Sequence, residues 1–98
     1  MPRERIPCVY LLCNRPRGTL YIGVTSDLPA RIWQHQNDAA DGFSNRYQLH
    51  ILAWWEAHAT MDSAILREKA LKAWKRLWKI ELVESLNPQW RDLSADIL

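Results

Sequence analysis

Residues 8–25 read Cys8-Val9-Tyr10-Leu11-Leu12-Cys13-Asn14-Arg15-Pro16-Arg17-Gly18-Thr19-Leu20-Tyr21-Ile22-Gly23-Val24-Thr25. Cys8 to Cys13 is a continuous apolar run of strand length. Asn14 to Gly18 supplies turn residues at the right places. Thr19 to Thr25 is rich in β-branched and aromatic residues, which suit a pleated, half-buried surface. The stretch therefore predicts a β-hairpin with Asn14–Gly18 as its loop.

Outward from the hairpin, the pattern turns helical. Ser26 is a good N-cap, Asp27 suits the first turn, and Pro29 is tolerated there. A helix is expected over Asp27–Gln36. Residues 37–47 carry no period and read as a loop. His50–Glu56 is a third strand. From Asp62 onward Ile65, Glu68/Lys69, Leu71/Lys72 and Trp74/Lys75 alternate faces at helical spacing. The segment to Leu86 is long for one helix, so a break is expected near Trp74–Arg76. Asn87-Pro88 ends the second helix, because proline cannot continue it. The order β-β-α-β-α-α predicts an α/β domain of the α+β type, a three-stranded antiparallel sheet flanked by helices. The expected organisation is a loose tail over 1–6, one domain over 7–93 and a C-terminal tail over 94–98, with Trp90 and Leu93 packed back on the core.

The totals agree with one domain. A chain of 98 residues, 48% hydrophobic and 24% charged, buries roughly two-thirds of its unfolded surface. Six tryptophans stand out; at that density most belong to the core, and Trp74 and Trp78, one helical turn apart, read as core rather than as stacking platforms. Net charge is only +2. Its distribution is more telling: Arg67, Lys69, Lys72, Lys75, Arg76 and Lys79 face a single acid, Glu68, between 67 and 79. Such a stretch suits a polyanion or, more blandly, a solvated helix face. Cys8 and Cys13 lack the ligand number and spacing of a zinc site and read as reduced thiols. The opening residues lack the apolar core of a signal peptide, and no run approaches the roughly 18 apolar residues of a membrane span. A cytoplasmic protein without a membrane segment is expected.

One constellation carries chemistry. Tyr10 is followed by Tyr21-Ile22-Gly23, then Arg31 and His35 on the first helix, then Glu68 within Arg67-Glu68-Lys69, then Asn87 before Pro88. In this pattern the chain resembles the GIY-YIG nuclease superfamily, and within it a subgroup of small stand-alone bacterial proteins. The resemblance covers roughly residues 7–93. Cys8-Val9-Tyr10 stands where the family has Gly-Ile-Tyr, so the first glycine is replaced. Tyr21-Ile22-Gly23 matches literally, Arg31 and His35 match the helix motif, and Glu68 matches the metal-binding glutamate. Tyr47 resembles a position where an aromatic assists phosphate binding. The resemblance implies a metal-dependent nuclease that hydrolyses phosphodiester bonds in DNA ahead of RNA, branched or single-stranded substrates included. It implies one divalent ion, Mg²⁺ or Mn²⁺, on Glu68, and a partner or homodimer where both strands are cut.

Physical chemistry supports each role and offers a plainer one beside it. Phosphodiester hydrolysis needs an activated water, neutralised transition-state charge and a stabilised leaving oxygen. Arg31 offers a bidentate fork for phosphate oxygens; it is otherwise a surface arginine. His35 shares its face about 6 Å along the axis and can take a tyrosine proton or hold a phosphate. Tyr10 and Tyr21 can place two hydroxyls near one point, or be half-buried strand aromatics. A free phenol, with a pKa of about 10, is a poor base at neutral pH without a metal-bound water, a cation and a histidine beside it; the resemblance implies that a tyrosine takes that role, Tyr10 or Tyr21, and Tyr10 is the one favoured, with Tyr21 as the second phenol. Glu68 suits magnesium, which takes one or two carboxylates, waters and phosphate oxygens, or forms an i,i+4 pair with Lys72. Asn87 donates to phosphate, holds Glu68, or simply caps its helix. Gly23 lets backbone approach a ligand, and Lys69, Lys72, Lys75, Arg76 and Lys79 track a phosphate backbone. His50 and His58 look incidental. The competing readings are a nucleic-acid binding module with weak or lost catalysis, and a plain interaction domain. The first has no need of an inward glutamate; the second leaves the Arg31–His35–Glu68 grouping unexplained.

Overall fold

A computed structural model describes residues 5–37 and 46–97. Most of the loop expected over 37–47 lies outside the described residues. Three strands, β1 (Cys8–Cys13), β2 (Leu20–Thr25) and β3 (Ile51–Ala57), form an antiparallel sheet in the order β2-β1-β3. Among the described residues the longer helices are α1 (Leu28–Gln36), α2 (Met61–Ala73) and α3 (Arg76–Leu86), followed by a 3₁₀ turn over Leu93–Asp96; Arg46 and Tyr47, in the expected loop, are also helical. The expected order of elements is the observed one.

The apolar run of β1 now has its reason. β1 is the central strand and every residue in it is buried. Successive side chains point to opposite faces. Val9, Leu11 and Cys13 pack with Ala64 and Leu71 of α2 and with Ile80 and Val83 of α3. Cys8, Tyr10 and Leu12 pack with Leu28 and Ile32 of α1. The molecule is thus three layers, with α1 on one face of the sheet and α2 with α3 on the other. Both cysteines are buried free thiols.

Local chemistry sets the boundaries. Asp27, not Ser26, caps α1: its side chain accepts from the Ala30 amide, and Pro29 sits in the first turn. Thr60 caps α2 by accepting from the Ser63 amide at 3.1 Å. The expected break falls at Trp74 and Lys75, whose backbones are extended. Trp74 turns in to pack on the core, and the Lys75 carbonyl restarts the helix by accepting from the Trp78 amide.

One expectation is corrected here. Trp78 is not core: it is 48% exposed, while Trp74 packs on the core beside it. In the C-terminal segment Ser94 is buried, Ile97 packs on the α1 side, and Ser94 Oγ is a partner of the Gln36 amide at 2.7 Å. Arg76 donates to the carbonyls of Arg17 and Gly18 and so ties the hairpin loop to α3. Arg17 and the Trp90 indole both donate to Glu84, which drives that carboxyl down to a pKa of about 2.

Asn87 caps α3 and is buried. Its Nδ2 donates to the carbonyls of Ala53 at 3.0 Å and Arg91 at 2.9 Å, and its Oδ1 accepts from the Arg91 amide at 3.1 Å. This amide pins the end of α3 to β3, so the capping role is the one the structure displays. Asn87→Ala removes the partner of the buried Ala53 carbonyl and of the half-buried Arg91 backbone groups. Its expected cost is roughly 1–3 kcal/mol, read as a lower urea midpoint at unchanged m-value.

Candidate active site

The site begins with the backbone opposite Tyr10. In the β1–β2 register Tyr10 faces Gly23. A Cβ at Gly23 would come within 2.9 Å of Tyr10 Cε1 and closer still to Cζ and Oη. The phenol lies flat across β2 because the residue beneath it has no side chain. Gly23 therefore makes room for a protein side chain, a more direct reason than the ligand approach suggested by sequence.

From that position Tyr10 Oη reaches α1. It lies 3.3 Å from Arg31 Nε, which donates to it, and 3.4 Å from His35 Nε2. Arg31 is steadied by donating through Nη1 to Gln34 Oε1 at 3.0 Å. Gln34 was not singled out from sequence; its place one turn beyond Arg31 was the available signal. Tyr21, on β2, closes the group, with its ring centroid 6.4 Å from that of Tyr10 and 6.1 Å from that of His35. Tyr10, Tyr21, Arg31 and His35 thus form one cluster.

Burial sets the protonation states. Tyr10 is 1% exposed, and desolvation raises its pKa above that of a free phenol, against the pull of the Arg31 hydrogen bond and charge. His35 is 3% exposed. Desolvation, then the charges of Arg31 and His50, lower its pKa to about 4. At neutral pH His35 is a neutral imidazole. Its Nδ1 is buried without a hydrogen-bond partner, so the ring's polar contact is the one through Nε2. His50, set aside from sequence, enters here through its effect on His35.

Glu68 comes from the opposite layer. Its side chain is 14% exposed, and its charge acts on Tyr10. It also pairs with Lys72 at 3.6 Å, so the inward carboxylate and the i,i+4 pair are both present. Lys72 Nζ lies 6.0 Å from the Tyr21 ring. A groove of about 270 Å³ runs along the outer edge of β2, lined by Leu20, Tyr21, Ile22, Lys72 and Lys79. Lys69 on α2 and Lys75 at the joint before α3 are exposed, and Tyr47 is exposed with the Arg46 guanidinium over its ring at 5.5 Å. No group of three or more His, Cys, Asp or Glu that could hold a metal occurs among the described residues. A single, largely buried carboxylate is a donor set that suits a hard cation taking its other ligands from water and phosphate.

The GIY-YIG catalytic domain model matches residues 6–81. Two UPF0213 proteins of Staphylococcus epidermidis, from strains ATCC 35984 and ATCC 12228, are each 29% identical over 77 residues, covering 78% of this chain and 92% of theirs. No solved structure matches significantly.

Two measurements check the site. His35 has a folded pKa of about 4 against 6.5 for a free histidine, so the unfolded chain binds more protons between those values. Stability conferred by the neutral ring is present above about 6.5 and is lost as pH falls through about 4, by up to about 3 kcal/mol. An NMR titration of the His35 ring should show a midpoint near 4, with acid destabilisation following it. Gly23→Ala should cost roughly 1–3 kcal/mol through overpacking. The same substitution in a Tyr10→Ala chain should cost clearly less, and a double-mutant cycle in urea reads the difference.

Proposed function

Because the chain belongs to the GIY-YIG family, whose domain is of nuclease type, we propose that it is a divalent-metal-dependent nuclease that hydrolyses phosphodiester bonds in DNA, acting in the cytoplasm. The observation that carries this reading is the meeting of Arg31 Nε and His35 Nε2 at Tyr10 Oη, with the charge of Glu68 acting on the same phenol.

In this reading the strand lies along the β2 edge, its phosphates drawn by Lys69, Lys72, Lys75 and Lys79. Arg31 faces the phosphate that is attacked and stabilises the charge developing on its oxygens. Tyr10 Oη takes the proton of the attacking water while its own proton passes to His35 Nε2. That relay fits the protonation states: a buried phenol is not a phenolate at neutral pH, and a neutral imidazole keeps a lone pair to receive the proton. Tyr21 orients the same phosphate. Glu68 would hold the Mg²⁺ or Mn²⁺ ion, which supplies further neutralisation of the transition state and the leaving oxygen. One carboxylate suits one ion rather than a two-metal clamp. Asn87 serves this machinery only by holding α3 to the sheet. A homodimer, or a protein partner, would let two such sites cut two strands.

The test is cleavage of labelled single-stranded, duplex and splayed-arm DNA with Mg²⁺ or Mn²⁺. Cutting should stop in EDTA and with Glu68→Ala. Tyr10→Phe should lower kcat by roughly 10²–10⁴-fold, the range for loss of general-base help, with DNA affinity retained. Equal cutting by the parent and Glu68→Ala would refute the assignment.

A further inference from the structure

The nuclease reading leaves one surface unused. Trp74 and Trp78 meet edge to face at the joint between α2 and α3, with ring centroids 6.2 Å apart and planes at 84°. Trp74 is anchored against the core, whereas Trp78 is 48% exposed. Each indole has a cation over it: Arg67 at 5.4 Å from Trp74 and Lys75 at 5.5 Å from Trp78. Beside them opens a groove of about 440 Å³ lined by Trp74, Trp78, Glu81, Leu82 and Ser85. Residues close in the chain line the two grooves: Lys72 and Lys79 the β2-edge groove, Trp74 and Trp78 this one. Lys79 Nζ donates to the Lys72 carbonyl across this joint.

We infer that Trp78 is a stacking platform for an unpaired nucleobase, on a strand that continues from the β2-edge groove past Lys72 and Lys79. An exposed indole flanked by lysines offers what single strands bind: a π-face for a base and cations for the phosphates on either side of it. The flat face selects an unpaired base, because a base inside a duplex already has both faces stacked. Glu81 and Ser85 line the same groove and add hydrogen-bonding groups for a base edge; the Glu81 carboxylate accepts from exocyclic amino groups. Lys75 moves with its flexible stem from the indole to a phosphate. The inference deepens the nuclease reading and rests on it: it names single-stranded segments, such as the arms of branched DNA, as what the protein grips next to the cut.

The test is binding by the full chain in EDTA, where cleavage is suppressed. The probes are a fluorescein-labelled mixed-sequence oligonucleotide, the same strand carrying abasic residues, and the matching duplex, each titrated over a salt series. Trp78→Ala should weaken the intact single strand roughly tenfold or more, as loss of one stacked base does, with the salt slope unchanged. Trp78→Phe should restore most of the loss. Lys72→Ala/Lys79→Ala should instead reduce the slope, because those residues release counterions. The abasic strand should bind more weakly to the parent and respond little to Trp78→Ala. Three outcomes overturn the inference while leaving the nuclease reading intact: Trp78→Ala binding the single strand as the parent does, Trp78→Ala weakening strand and duplex equally, or a parent dimer in sedimentation that Trp78→Ala dissolves. A parent chain that binds neither strand nor duplex at low salt overturns both. Trp78→Phe keeps the test valid if the alanine variant melts early.

Discussion

Everything at the site depends on one steric fact: the Tyr10 phenol lies across Gly23. Strand pairing puts the two residues opposite each other, and the missing Cβ lets the ring fold down over β2. The hydroxyl then lands beside α1, where Arg31 Nε and His35 Nε2 meet it within 3.4 Å. Leu28 and Ile32, buried against Leu12 and Tyr10, fix the height of α1 over the sheet. The same contacts that build this half of the core therefore aim the polar groups. Core packing tolerates little adjustment, so the hydroxyl's position is held closely.

Burial also sets the chemistry. Out of water, the charged forms of a phenol and an imidazole are both disfavoured. Tyr10 keeps its proton and His35 goes without its second one. The Arg31 cation pulls on both, easing ionisation of the phenol and opposing protonation of the ring. The result is a neutral donor–acceptor pair beside a fixed positive charge. Glu68 joins from the other layer of the molecule and brings negative charge to the rim. The two layers meet along the outer edge of β2, the side of the sheet that carries the groove.

The basic segment 67–79 serves two purposes. Arg76 ties the hairpin loop to α3, and Arg67 donates to Glu56 at 3.2 Å while lying over Trp74. These cations are spent on the scaffold. Lys69, Lys72 and Lys75 remain exposed. Lys72 also pairs with the half-buried Glu68 carboxylate while its own side chain stays about half exposed. Glu56 also pairs with His58 at 2.7 Å, and His58 Nδ1 is 2.9 Å from Ser63 Oγ. This network binds the end of β3 to the start of α2, and no sequence pattern marked it.

The order of elements, the hairpin, the break before Arg76 and the stop at Asn87-Pro88 were legible because each rests on neighbours in the chain. Apolar runs, β-branched residues, caps and proline act within a few residues. The grouping of Tyr10, Tyr21, Arg31, His35 and Glu68 was legible as a motif, with helical spacing placing Arg31 and His35 on one face. Only the tertiary structure decided the rest. Gly23 acquired its reason from cross-strand register, and Asn87 its buried partners from a strand far away in sequence. Trp78 lies outside because the helix breaks at Trp74 and Lys75, so the two indoles do not share the face of one helix. The neutrality of His35 follows from burial beneath a second element. These outcomes depend on which distant surfaces meet, and local sequence carries no record of that.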